Sequence, residues 1–212
     1  MDARRIKPLA SKFAKQIRKK GIPLKHVILF VDGVFESCCR PFHPVEGYRF
    51  ARQRAIYNGN HRAHGMMYQG LVGPDGILVG MWGPFQGRIN DKNMFRQSRL
   101  FTRMRRNFGR RFCIFGDRGY MHGDPSLHVP FQGQAGRVEP GKSYNIACAS
   151  CRIYAEWSFG KVKSLFAFVD FTKNQELYLQ PIASYWFSAT LLANCHSCLY
   201  GNETSQFFQV PE

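Results

Sequence analysis

Hydrophobic positions along the chain are spaced in two ways, one suited to helices and one to strands. Near the start, Leu9, Phe13 and Ile17 recur every four residues among basic neighbours, forming one face of an amphipathic helix that Gly21 and Pro23 end. His26 to Val31 is a continuous apolar run that stops at Asp32-Gly33. Such continuity predicts a central strand buried on both faces. Ala63 to Val72 and Ile77 to Trp82 read as a strand pair around the turn Gly73-Pro74-Asp75-Gly76. There Pro fixes one φ and Gly accepts the positive one. Asp91 to Arg106 predicts a helix, and Arg111 to Phe115 a short strand ending at Gly116-Asp117. Residues 121–144, rich in Gly, Pro and polar side chains, predict a loop over one end of the sheet. Helices over about 145–168 and 175–199 follow, separated near Asp170 to Asn174. This order predicts an α/β fold in which helices cover a mixed sheet.

Charge changes the picture. Thirty Lys and Arg stand against fourteen Asp and Glu, a formal net charge of +16. That surplus attracts polyanions, and nucleic acid is the default one in a cell. Arg49, Arg52 and Arg54, and Arg103, Arg105, Arg106, Arg110 and Arg111, form two clusters with aromatic neighbours, fit to track phosphates or simply to face solvent. The first twenty residues are basic as well, a pattern shared by solvated surface helices, nuclear-import segments and mitochondrial presequences; the surface helix is the preferred reading, with import second. No apolar run reaches membrane-span length. Seven scattered cysteines and no secretory h-region imply a reducing, soluble compartment.

Against so few acids, three stand out. Asp32 and Asp117 each follow a short buried strand and have a glycine close behind, where open α/β sheets hold ligands. A turn or cap role explains either one alone. Glu156 shares a helical stripe with Arg152, Phe159 and Lys163, within about 60° of one another at 100° per residue. An exposed salt-bridge face is the plain alternative. Three converging carboxylates repel unless a divalent cation neutralises them, and oxygen-only ligands suit Mg²⁺ or Mn²⁺. Two such ions can drive phosphodiester cleavage.

These residues sit in blocks that resemble Harbinger-type (PIF/Harbinger) transposase-derived nucleases of the DDE superfamily. Val31-Asp32-Gly33 with Cys39-Arg40-Pro41 is similar to the first block. Tyr57-Asn58-Gly59, Arg62, His64 and the stretch Gly83-Pro84, Gly87-Arg88 and Asp91 resemble the second. Gly116-Asp117 with Gly119-Tyr120 resembles the next, and Arg152, Glu156 and Lys163 have the Arg-Glu-Lys spacing of related insertion-sequence transposases. The tail from Cys198 to Ser205 with Phe207-Phe208 completes the order. The resemblance covers nearly everything from Gly21 onward. It departs at Val34, Asn90 and Ala149, where relatives carry Thr, His and Tyr, and none of these is a carboxylate.

The resemblance implies an RNase H-like fold, with residues 1–24 as a basic helical segment and 25–212 as the DDE nuclease domain. It makes Asp32, Asp117 and Glu156 the catalytic and metal-holding acids, with 38 residues between the last two. Asp91 is an auxiliary acid, and Arg88, Arg152 and Lys163 contact DNA. The implied cofactor is Mg²⁺ or Mn²⁺, as two ions, the substrate double-stranded DNA, and the compartment the nucleus. Relatives carry a DNA-binding region ahead of the first strand, so a separate DNA-binding partner protein is expected here, and oligomers fit the family. The alternative function is a catalytically silent domesticated module that binds DNA or a partner; RNA is the alternative substrate.

Cys148/Cys151 and Cys195/Cys198 have zinc-site spacing, with His196 inside the second pair. Both pairs fall within expected helices rather than turns, so packed, unliganded thiols are expected instead. Histidines 43, 61, 64, 122 and 128 are assigned no ligand role.

Overall fold

The computed structural model describes residues 3–41, 53–120, 125–177 and 179–211, without the side chains of 150–152. His43, Arg49, Arg52 and His122 therefore lie outside the described residues, as do the side chains of Cys151 and Arg152.

The basic segment forms α1 (Ala3–Lys19), which buries Ile6, Ala10, Phe13, Ala14 and Ile17. This face enters the same hydrophobic core as the first strand. Arg5 on its flank pairs with the buried carboxylate of Asp75, whose own pKa burial raises and Arg5 pulls back.

Strand β1 (Val27–Ser37) is longer than its apolar run and passes straight through Asp32-Gly33. The reason is its neighbour. Antiparallel β3 (Ala63–Val72) pairs with β1 from Phe30↔Val72 to Ser37↔Gly65, so backbone partners continue where hydrophobicity stops. On the other side, parallel β5 (Cys113–Phe115) accompanies β1 only from Val27 to Phe30. β1 thus outruns β5, and Asp32 lies just past the step. β4 (Leu78–Gln86) pairs with β3, β2 (Tyr57–Asn58) meets the start of β3, and β6 (Leu127–His128) runs parallel to β5. Across the sheet the order β4, β3, β1, β5, β6 joins an antiparallel half to a parallel half, the mixed sheet of an RNase H-like fold.

The helices cover this sheet with three departures from expectation. The stretch from Asp91 breaks into α2 (Asp91–Gln97) and α3 (Leu100–Phe108). Ser98 donates its hydroxyl to the carbonyl of Phe95 at 3.0 Å, and Arg99 turns to φ 51°, so the ladder stops there. The region 121–144 holds β6, too short to show periodicity, and the start of α4 (Gly141–Leu165). After α5 (Ala167–Asp170), helix α6 begins only at Ile182, behind Pro181, and runs to Tyr200.

A seventh helix, α7 (Glu203–Phe208), closes the chain. Its N-cap, Asn202, accepts from the Ser205 amide at 2.8 Å and donates to the Asp75 carbonyl at 2.8 Å. Gly76 in that turn has φ 74°, and a Cβ there would collide with the Asn202 amide. The tail therefore clasps the β3–β4 turn, while Phe208 stacks on Phe30 at 5.8 Å. No described helix is long and apolar enough to cross a membrane.

Candidate active site

Strand register explains why two distant acids share one level. Phe30 of β1 pairs with Phe115 of β5. Asp32 and Asp117 each lie two residues beyond that pair, at the end where β5 stops. Asp32 is 8% exposed, and its Oδ1 accepts the Gly33 amide at 2.9 Å. Asp117 curls over its own turn, where Oδ1 accepts the Gly119 amide at 2.8 Å. Each carboxylate is thereby oriented by a backbone N–H of the glycine that follows it.

Helix α4 brings the third acid. Its Phe159 ring meets β3 by its edge at Gly70, the residue paired with Asp32, where any Cβ would strike the ring. Glu156 lies one turn earlier and is exposed. Asp32, Asp117 and Glu156 line one cleft of about 750 Å³, together with Asp91, Arg88 and Lys163.

Asp91 opens α2, behind Asn90, whose side chain accepts from the Asn93 amide at 2.9 Å. Its two carboxylate oxygens point to the two glycines that follow the strand acids. Oδ1 would lie 3.0 Å from a Cβ at Gly33, and Oδ2 would collide with one at Gly119. Arg88 reaches the rim because Gly87 packs between the carbonyls of Ile56 and Gly65, with Asn58 donating to the Gly87 carbonyl at 2.6 Å.

Beneath the acids lie two groups of which sequence reasoning assigned no role, Gln69 and Tyr120. Both are buried, and Gln69 donates to the Tyr120 hydroxyl at 3.3 Å. The phenol is held well above its ordinary value, first by burial, then by Asp91, Asp32 and Asp117. One hydroxyl therefore senses all three carboxylates. Gln69 shows no pattern in the sequence, since one polar residue in a strand is also how a solvated face looks.

Lys163 also departs from the simple picture. Its ammonium reaches the cleft, yet it is held by Glu36 at 3.1 Å and Asp170 at 3.0 Å. Glu36 is 7% exposed, and burial pushes its carboxyl up to about 7, with Lys163 opposing the rise. Only the even spacing from Asp32 on β1 could have marked Glu36 beforehand.

An all-oxygen donor set fits a hard divalent cation of the Mg²⁺ or Mn²⁺ kind. Among the described residues, no three His, Cys, Asp or Glu side chains form a ready-made ligand cluster. The donors are convergent but not closed.

Elsewhere, Cys148 is buried as expected, but Cys195 and Cys198 are exposed on α6 rather than packed. They fall on the face turned away from Trp186, Ala189 and Ala193, which fill the core. The exposed guanidiniums of Arg103, Arg105 and Arg111 lie over Trp82, Phe101 and Phe112, at 6.0, 5.6 and 5.2 Å from the ring centroids. His61 stacks on Phe35 at 4.3 Å beside the cleft.

No curated protein and no solved structure matches the chain. Residues 31–194 match the family described as DDE superfamily endonuclease, a span that runs from Val31 within β1 through most of α6 and takes in every acid of the cleft. A carboxylate-lined cleft at the end of a mixed sheet and a match over most of its length agree: the chain belongs to the DDE superfamily of endonucleases.

Proposed function

We propose that the cleft cuts DNA by metal-dependent phosphodiester cleavage or strand transfer, in the manner of a Harbinger-type transposase, with Asp32, Asp117 and Glu156 as the metal-holding acids. One observation carries this reading: acids from β1, from the turn after β5 and from α4 line the same cleft. When bound, two divalent ions would activate the attacking water or 3′-hydroxyl and stabilise the leaving oxygen. The chain's own contribution is orientation. Backbone amides of Gly33 and Gly119 fix one oxygen each of Asp32 and Asp117. Asp91, wedged between those glycines, serves as an auxiliary acid that keeps the two strand ends in step.

Arg88 at the rim holds a phosphate of the substrate, and Arg152, one turn ahead of Glu156 on α4, extends that track. The formal charge of +16 supplies affinity for duplex DNA without reading sequence. Choice of target then falls to a partner protein, and the nucleus is the compartment of this activity.

The test is a nicking assay on duplex DNA with Mg²⁺ or Mn²⁺, wild type beside Asp32→Asn, Asp117→Asn and Glu156→Gln. Metal-dependent nicking lost in all three variants, with the fold retained, supports the reading. A folded wild type that binds DNA without ever nicking it would favour a catalytically silent binding module.

A further inference from the structure

We propose that Glu36 and Lys163 form a positioning pair that sets Glu156 against Asp32, and that Lys163 acts through this pair rather than by holding a phosphate. The inference rests on the metal-site reading of the cleft and adds to it a residue pair that the reading does not use.

The geometry is a ladder with two rungs. Asp32 and Glu36 are four apart on β1, an even spacing that puts both side chains on one face, roughly 13 Å apart along the strand. Glu156 and Lys163 are seven apart on α4, two turns, so they share a face at a spacing of roughly 10 Å. The two spacings nearly match. Asp32 and Glu156 line one cleft, and Lys163 meets Glu36 at 3.1 Å. Helix α4 therefore runs alongside β1 with one rung at the acids and the other at the ion pair. At the level of the first rung, the edge of the Phe159 ring meets Gly70, the β3 partner of Asp32. That contact fixes the height of the helix over the sheet. That ring contact is non-directional, whereas an ion pair on the buried carboxylate of Glu36 has one favourable position.

The surroundings suit this role better than phosphate capture. Glu36 is 7% exposed, and a second carboxylate, Asp170 at the end of α5, holds the same ammonium at 3.0 Å. A phosphate would have to draw Lys163 away from two carboxylates and strand Glu36 in the interior. Glu156, by contrast, is exposed at the cleft, so its height over Asp32 follows the helix that carries it. Losing the pair should let α4 slip by a fraction of a turn, which spoils metal geometry before it spoils the fold.

The experiment measures Mn²⁺ affinity by electron paramagnetic resonance, duplex affinity by fluorescence anisotropy in Ca²⁺, and amide hydrogen exchange across 153–165. The proteins are wild type, Glu36→Gln, Lys163→Gln, the double variant, and the charge-reversed pair Glu36→Lys with Lys163→Glu. Expected are an approximately tenfold loss of Mn²⁺ affinity in each single variant and no further loss in the double. DNA affinity should stay within about twofold, and the reversed pair should recover part of the Mn²⁺ affinity. Hydrogen exchange should speed up from Glu156 to Lys163 in both single variants and slow again in the reversed pair. Weakened DNA binding in Lys163→Gln alone, with Mn²⁺ affinity and exchange unchanged, overturns the proposal and makes Lys163 a phosphate contact. Equal losses in the reversed pair and the single variants overturn it too. If wild type binds no Mn²⁺, the metal reading of the cleft fails, while exchange and its recovery in the reversed pair still decide whether the pair positions the helix.

Discussion

Asp91 and Gly119 compete for one volume: a Cβ at Gly119 would land on the Asp91 carboxylate, which leans over the turn carrying Asp117. Gly119 does not need a left-handed backbone; it needs the absence of a side chain. Gly119→Ala should therefore push Asp91 aside and lower nicking by an order of magnitude or more. Global stability should fall by only about 1 kcal/mol, because Asp91 can swing toward the open cleft. Adding Asp91→Ala removes the clash, so the double variant should behave like Asp91→Ala alone. Nicking rates and urea midpoints for the cycle check this, and additive losses would show that the two residues do not interact.

The three proposed metal ligands repel one another when no cation is present. Asp117→Asn should thus leave the metal-free protein as stable as wild type, or raise its melting temperature by a degree or two. In wild type, Mn²⁺ at 100 times its dissociation constant should add about 2.7 kcal/mol. In Asp117→Asn and Glu156→Gln that gain should largely vanish. Thermal melts with and without Mn²⁺ measure both effects, and an undiminished metal gain in either variant would remove that residue from the ligand set.

The types of the longer elements were legible in the chain, but their lengths were not. The run His26 to Val31 announced a central strand, yet β1 continues to Ser37 because β3 pairs with it there, and pairing leaves no hydrophobic signature. Ser98 and Arg99 broke a helix that apolar spacing alone carries through. The candidate acids were visible since acids are scarce and two end apolar runs. Glu36 was hidden because its partner, Lys163, lies 127 residues away, and Gln69 because its meaning comes only from Tyr120 beside it. The placement of Cys195 and Cys198 within a helix pointed to packed thiols, whereas α6 turns that face outward, being apolar on both sides.

DNA affinity is expected to come from phosphates. Binding of a duplex should weaken linearly on a double-logarithmic plot against salt, with a slope of about −0.9 for each phosphate neutralised. Arg88→Ala should make that slope shallower by about one, while affinities for unrelated sequences fall together. Anisotropy titrations over a range of salt concentrations measure both. A strong preference of this chain for one short sequence, or salt-independent binding, would contradict the phosphate account.

Glu36 gives the fold a pH signature whose sign follows from its burial. Its carboxyl is pushed up to about 7 from an ordinary value of 4.5, burial outweighing the opposing pull of Lys163, while Asp170 adds to the rise. The folded chain therefore holds this proton more tightly than the unfolded chain does. The resulting stabilisation is complete below about 4.5 and declines as pH rises through about 7, a change on the order of 1–3 kcal/mol. His64 and His128 act in the opposite direction, since burial lowers their pKa and makes folding more favourable once they are neutral. The total curve mixes the two, but the difference between wild type and Glu36→Gln isolates the carboxyl. Urea midpoints at pH 5 to 8 should show wild type losing ground steadily to Glu36→Gln as pH rises. Lys163→Met should be worse than either above pH 7, because it leaves the Glu36 charge buried with no cation beside it. Parallel curves for wild type and Glu36→Gln would mean that the carboxyl titrates at its ordinary value, and that water reaches it in the folded protein.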